Sequence, residues 1–268
     1  MTRPADLPDY DDPPVNEVVI GIQFTKIAIT GAHIGLFWQS VRDEFPNIEE
    51  QPPLEPKLES FQPPRFSLPM FGFTSWPGSR HWLISEDQVD LVQIQQDRLI
   101  YNWRRGPNNA SYPHFEALQD KFWVVTDKWR SYIENIGQVI DLTQWEVTYI
   151  NHILTPEGRP ELAEVLSFWG AELDQAMGGP ADTGRMEVQR NLTEDGSPWA
   201  RMYVSMTTGI RSDQVPLIVV ELTVRGPPEN EDSWSNTRNR ILDARRQIVT
   251  AFDTLTTPEM HIVWGKRK

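Results

Sequence analysis

Apolar residues in this chain recur first at every second position, then at every third to fourth, and this alternation of periods runs through nearly the same order twice. Period two belongs to a strand with one buried face and period 3.6 to an amphipathic helix, so the pattern sets an order of elements before any other property enters. Val18, Ile20, Ile22 and Phe24 alternate over Glu17 to Phe24, which predicts a strand. Ile34, Phe37, Trp38, Val41 and Phe45 recur at helical spacing and stop at Pro46. Short alternating runs follow around Arg65 to Phe73, Arg80 to Ile84, Leu91 to Gln95 and Leu99 to Arg104, with turn-forming residues at 85–88 and 96–98. Phe115, Leu118, Phe122, Val125, Trp129, Tyr132 and Ile136 then predict a long helix from Pro113 to Ile136, with Gly137 placed to end it.

The order restarts after residue 140. Trp145 to His152 predicts a strand, Glu161 to Trp169 a short helix, and the stretch 178–184 a loop. Met186 to Leu192 and Ala200 to Met206 alternate on either side of Glu194-Asp-Gly-Ser197, the pattern of a hairpin. Leu217 to Arg225 is apolar on both faces, as a central strand is, and Ile241, Ala244, Ile248 and Phe252 predict a helix over Ser235 to Leu255. The chain therefore divides into an extended N-terminal arm (1–14), a β-α-β4-α half (15–140) and a β-α-β3-α half (141–268). The expected class is α+β: internally duplicated β-α-β(3–4)-α units forming antiparallel curved sheets, or one continuous sheet, with helices on one face. This element order is similar to the duplicated TATA-binding-protein-like topology, an analogy of fold that carries no function with it.

Composition narrows the function classes. Of the 268 residues, 39% are apolar and 24% charged, enough for a packed core and too apolar for wholesale disorder. Half of the 22 prolines fall in the first 69 residues, around 4–14 and 46–69, which predicts an extended arm and a long irregular connection. The absence of cysteine excludes disulfides, zinc ribbons, iron–sulfur clusters and thiol nucleophiles. No apolar run is long enough to cross a bilayer and the N-terminus lacks a signal-peptide apolar region, so a soluble, cytoplasmic protein with no membrane partner is expected. The net charge of −13 is shared by both halves; neither is a hidden basic module, and nucleic acid is not an expected partner.

Two constellations carry chemistry. Glu146 and His152 share a strand face by period two, and with Glu259 and His261 near the C-terminus they would form an acid/base or metal cluster if both elements met. No His-x-x-x-His or His-Glu-x-x-His spacing supports this, and the plainer reading is of polar residues satisfying one another at a seam; no metal and no cofactor are expected. Thr257, Pro258 and Glu259 also fit the cap and first turn of a helix. On the run Leu99 to Arg105, Tyr101 and Trp103 share one face and Arg104 lies on the other, followed by Arg105. Aromatics beside arginines grip a peptide or stack a base, so Tyr101, Trp103, Arg104 and Arg105 are the candidate binding residues; the competing reading is that the two rings are core. Nucleotide-binding glycine loops and nucleophile elbows are absent.

Pro13-Pro-Val-Asn-Glu-Val-Val-Ile20, the helix Gly35 to Pro46, Gln51-Pro-Pro53, Val147-Thr-Tyr-Ile-Asn-His152 and Leu255-Thr-Thr-Pro-Glu-Met-His261 with Trp264-Gly265 resemble a sporadically distributed family of uncharacterised prokaryotic proteins. The likeness runs from about Leu7 to Gly265. It implies no activity and no catalytic residues, and its patchy distribution implies a place among mobile genes such as defence or toxin–antitoxin cargo. The reading that follows is of a non-catalytic cytoplasmic protein that binds a protein partner or ligand. An enzyme of hydrolase or nuclease type using the Glu146/His152/His261 region is the second reading, and a nucleic-acid binder by fold analogy the third. A two-fold homodimer is expected, because the shorter second half exposes a sheet edge unless the proline-rich stretch 46–69 covers it.

Overall fold

The computed structural model describes residues 4, 6–55, 57–61, 79–154, 161–179, 181, 183–211, 213–229 and 233–267. They form an α+β protein with an open, nine-stranded antiparallel sheet in the order β2-β3-β4-β5-β1-β6-β9-β8-β7. In the first half lie β1 (Val15–Phe24), α1 (Gly31–Gln39), β2 (Asn47–Gln51), β3 (Arg80–Ile84), β4 (Asp90–Gln95), β5 (Arg98–Arg104) and α2 (Phe115–Asn135). In the second lie β6 (Leu142–Ile153), α3 (Leu162–Val165), α4 (Ala171–Met177), β7 (Arg185–Glu194), β8 (Ser197–Ile210), β9 (Pro216–Gly226), α5 (Ser233–Leu255) and α6 (Pro258–Val263). Read outward from the central β1–β6 pair, the strands follow β1-β5-β4-β3-β2 on one side and β6-β9-β8-β7 on the other.

One face of the sheet is buried. Val18, Ile20, Ile22 and Phe24 of β1, Trp145, Val147 and Tyr149 of β6, and Leu222 and Val224 of β9 share one core with Phe122 and Trp129 of α2 and Ile241 and Ile248 of α5. Each such side chain contributes about 1.5–3 kcal/mol by leaving water, which is what holds two long helices with modest intrinsic helicity against the strands. Phe37 of α1 meets Trp129 edge-on at 4.8 Å, extending that layer.

The strands of the first half depart from expectation at one place. The run at 65–73 lies outside the described residues, and the outermost strand is β2, set inside the stretch that the prolines predict to be irregular. Pro46 and Pro52 flank β2 without interrupting it, and among the described residues it pairs only with β3, an edge position of the kind that tolerates neighbouring proline. The helix predicted to reach Phe45 ends at Gln39; a tight turn follows, closed by the Trp38 indole donating to the Phe45 carbonyl at 2.8 Å. The helix predicted over 161–169 is the single turn α3, and α4 beyond it was not expected.

The arm is pinned down. Leu7 and Tyr10 are buried, Tyr10 donates its hydroxyl to Asp253 Oδ1, and the backbone of Asp11 and Asp12 donates to the carbonyls of Gly265 and Trp264. Gly265 is required here: it sits at φ +65°, and a Cβ would come within 2.8 Å of the Asp11 carboxylate. Thr257 caps α6, its side chain accepting from Met260 N, with Pro258 in the first turn.

Candidate functional site

The opposite face of the sheet carries no helix among the described residues, and its side chains are the alternate set. Cross-strand register arranges them in rows. Gln95, Arg98, Gln23 and Gln144 form a row at one end of the central strands. Toward the other end, Arg104, Glu17, Ile150 and Glu221 form another.

The glutamine row is occupied by the chain itself. After β2 the described segments 52–55 and 57–61 cross this face as a strap. Gln95 accepts from Leu54 N and donates to Leu54 O, while Gln144 donates to Lys57 O and accepts from Glu59 N. Gln23 also donates to Lys57 O, and Arg98 to Glu55 O. A primary amide offers the same donor and acceptor as a peptide unit, so these glutamines serve an extended segment as a neighbouring strand would. At its far end the strap is anchored on β8. Glu59 pairs with Arg201 at 3.2 Å, with side chains only 3% and 9% exposed, and accepts from the Tyr203 hydroxyl.

Beside the strap a groove of about 670 Å³ opens over the second half, lined by Leu58, Glu59, Tyr203, Glu221, Thr223 and Arg225 among others. Arg225 lies 5.0 Å over the Tyr203 ring and 3.4 Å from the Glu146 carboxylate. Burial raises the Tyr203 phenol, and its bond to Glu59 adds to the rise, so it stays a donor at neutral pH. Thr148 and Thr223 bond one another at 2.7 Å. On the first half, Trp82 lies between Arg80 and Arg104, at 5.3 and 5.9 Å. From there a chain of side chains runs inward: Arg80 and Trp82 donate to Gln93, Gln93 to Asn102, and Asn102 to Glu17. Burial raises the Glu17 carboxyl above the usual carboxylate range, against the opposing pull of the Asn102 bond and Arg104.

The candidate residues from the sequence separate here. Tyr101 and Trp103 are each 1% exposed and face the helices; Tyr101 donates to Asp90 and Trp103 meets Tyr112 edge-on at 5.4 Å. A binding role for these two rings is corrected: period two in β5 turns them with Leu99 into the core, and they present no surface to a ligand. Arg104 does lie on the helix-free face. Arg105, at the strand end, donates to the carbonyls of Val15 and Pro13 and holds the arm.

The four-residue cluster is not assembled. Glu146 and His152 share the helix-free face, Glu146 paired with Arg225. His261 packs instead against Tyr10 and Trp264, bonds Thr256 at 2.9 Å and faces Asp253 and Lys266, while Glu259 is exposed in the first turn of α6. Burial, then Arg211, lowers the His152 pKa; burial, then Lys266, lowers that of His261. No group of three or more metal-binding side chains occurs among the described residues. The strap and its glutamines were missed at the sequence level, where the only signals were the prolines that keep 52–61 extended and the amides on strand positions turned away from the core.

Comparison with family models, with curated proteins and with solved structures finds no match to this chain.

Proposed function

We propose that this is a non-catalytic, cytoplasmic binding protein whose recognition surface is the helix-free face of the sheet, and that its partner is an extended peptide segment of mixed charge. The observation that carries this reading is the groove beside the strap: it has the volume of a ligand site, a tyrosine floor and both signs of charge, and it adjoins a row of side chains already holding an extended segment. In the same reading the two halves are copies in a TATA-binding-protein-like arrangement. The matching strand orders on either side of β1 and β6 support that. A second copy of the chain is the other partner, paired through β7, whose outer edge meets no strand among the described residues. With the family resemblance, the same proposal extends to a prokaryotic host and a defence or toxin–antitoxin setting.

The test is a random peptide library displayed on phage and panned against the immobilised protein, followed by titration of the enriched peptides. Peptides carrying both charge signs are expected to emerge and to bind Arg225→Glu at least tenfold more weakly than wild type. No enrichment, or affinities untouched by Arg225→Glu and Tyr203→Ala, would overturn the proposal.

A further inference from the structure

A second cavity lies on the helix side of the sheet, beneath the N-terminal arm. It has a volume of about 50 Å³ and is lined by the arm, β1, β6, α5 and the stretch 112–114. Its walls are apolar, from Pro13, Val15, Ile248 and Phe252, and its floor is polar, from Tyr112, Tyr149 and Arg245. Half-buried Pro8 and Val249 stand at its outer side.

The floor has hydrogen-bond donors to spare. The hydroxyls of Tyr112 and Tyr149 lie 3.0 Å apart and share one hydrogen bond, which uses one of their two protons. Burial raises Tyr112 well above its ordinary pKa and pushes Tyr149 up to about 12 despite the opposing effect of Arg245, so both phenols keep their protons. Arg245 is 4% exposed, and its Nε–H is buried with no acceptor. The Arg245 Nε–H and one phenol proton therefore have no acceptor at hydrogen-bonding geometry beside this largely apolar cavity, whose lining also includes Asn151 and His114, and unmet buried donors cost stability unless something accepts them. The charge of Arg245 is already met: Glu116 lies 3.3 Å from Nη2, itself largely buried. A second anion placed there would leave an uncompensated buried negative charge, whereas a neutral carbonyl oxygen, with two lone pairs, satisfies both donors without one.

We infer that this cavity is a binding site for a small neutral molecule that presents a carbonyl oxygen to Tyr149 and Arg245 and a compact apolar group to the walls, with the arm as its cover. The site shares none of these residues with the groove on the opposite face and does not depend on the function proposed for that face. A volume of about 50 Å³ is room for a group of only a few heavy atoms, since one water needs roughly 10–15 Å³ on the same measure.

The test uses a matched pair of probes, isobutyramide and isobutyrate, which share a shape and differ in charge. Each is titrated into the full-length protein and followed by two-dimensional amide NMR. Isobutyramide is expected to saturate with a Kd on the order of 1 mM, shifting amides of β6 and α5, and isobutyrate to bind at least tenfold more weakly. Tyr149→Phe, which removes one donor at nearly constant volume, is expected to weaken isobutyramide by about tenfold. Val249→Trp, which blocks the outer side from a half-buried position and leaves the polar floor intact, is expected to abolish binding and decides the matter if Tyr149→Phe fails to fold. Absence of saturable shifts with isobutyramide at about 100 mM, tighter binding of isobutyrate, or full binding by Val249→Trp would each overturn the assignment.

Discussion

Replacing Glu59 by alanine tests whether the strap is a built part of the fold. Glu59 ties the strap to β8, meeting Arg201 where both side chains are nearly excluded from water. Removing one partner of a buried pair costs about 3–5 kcal/mol when the other charge stays buried. Two features bring the expected value toward the lower end: Arg201 also donates to Asn191 Oδ1, and the strap can lift locally and admit water. Lifting is resisted by the amide bonds from Gln23, Gln95 and Gln144, so relief is incomplete. We expect a loss of about 3 kcal/mol. With an unfolding entropy of about 2.1 cal/mol/K per residue over this length, that is a fall in Tm of about 5 °C. Thermal unfolding by circular dichroism reads the fall in Tm. Limited trypsin digestion reads the loosening of the strap itself, because the Lys57 carbonyl is held by two glutamines and cleavage after Lys57 should accelerate once the strap lifts. A double-mutant cycle with Arg201→Met should show a coupling of about 2 kcal/mol. A Tm within 1 °C of wild type together with unchanged cleavage at Lys57 would show that this ion pair does not hold the strap and that the reasoning from burial is wrong.

Stability should fall as pH drops below about 6.5: His261 has a lowered pKa in the folded state, so the unfolded chain binds its proton first, and the stability present above the unfolded pKa is lost as pH falls. His261→Gln should flatten the slope of denaturant stability against pH between about 6.5 and 5, by no more than about 1.4 kcal/mol per pH unit, and an unchanged slope would remove His261 from the account. His81 and His152, also lowered by burial, keep part of the slope in that variant. Sedimentation at micromolar concentration should show a species of twice the 31.0 kDa chain mass, and a single monomer would sink the β7 pairing.

The sheet and its two long helices were legible because burial on one face leaves a period in the sequence. Val18, Ile20 and Ile22 alternate for the same reason that they are buried, and Phe122, Val125 and Trp129 recur at helical spacing because α2 turns one stripe to the sheet. The strap was not legible, because it has no periodic face: its backbone is held by side chains remote in sequence, Gln95 and Gln144 among them, and nothing in Leu54 to Glu59 encodes those partners. Tyr101 and Trp103 show the complementary limit. Period two stated that they share a face but not which face, and only the position of β5 beside β1 decides that they are core. The sequence puts His152 at the end of a strand and His261 in the terminal motif, and their separation depends on the docking of α6 against the arm, which is a tertiary contact with no local signature.

The strap also bears on what kind of partner suits the helix-free face. Its arginines do not form a field that would hold a phosphate backbone: Arg225 is paired with Glu146 and Arg201 with Glu59, while Arg104 lies beside Glu17 in the sheet register. On a chain of net charge −13 a polyanion would meet repulsion at long range, and at short range it would find Arg225 and Arg201 already paired. A peptide faces neither obstacle. Its backbone needs amide donors and acceptors of the kind that Gln23, Gln95 and Gln144 already supply to residues 54–59, and its side chains need alternating charge partners of the kind that Glu221 and Arg225 provide two rows apart. In the proposed reading the face takes an extended chain first by its amides and second by its charges, and the segment that lies on it in this protein is its own.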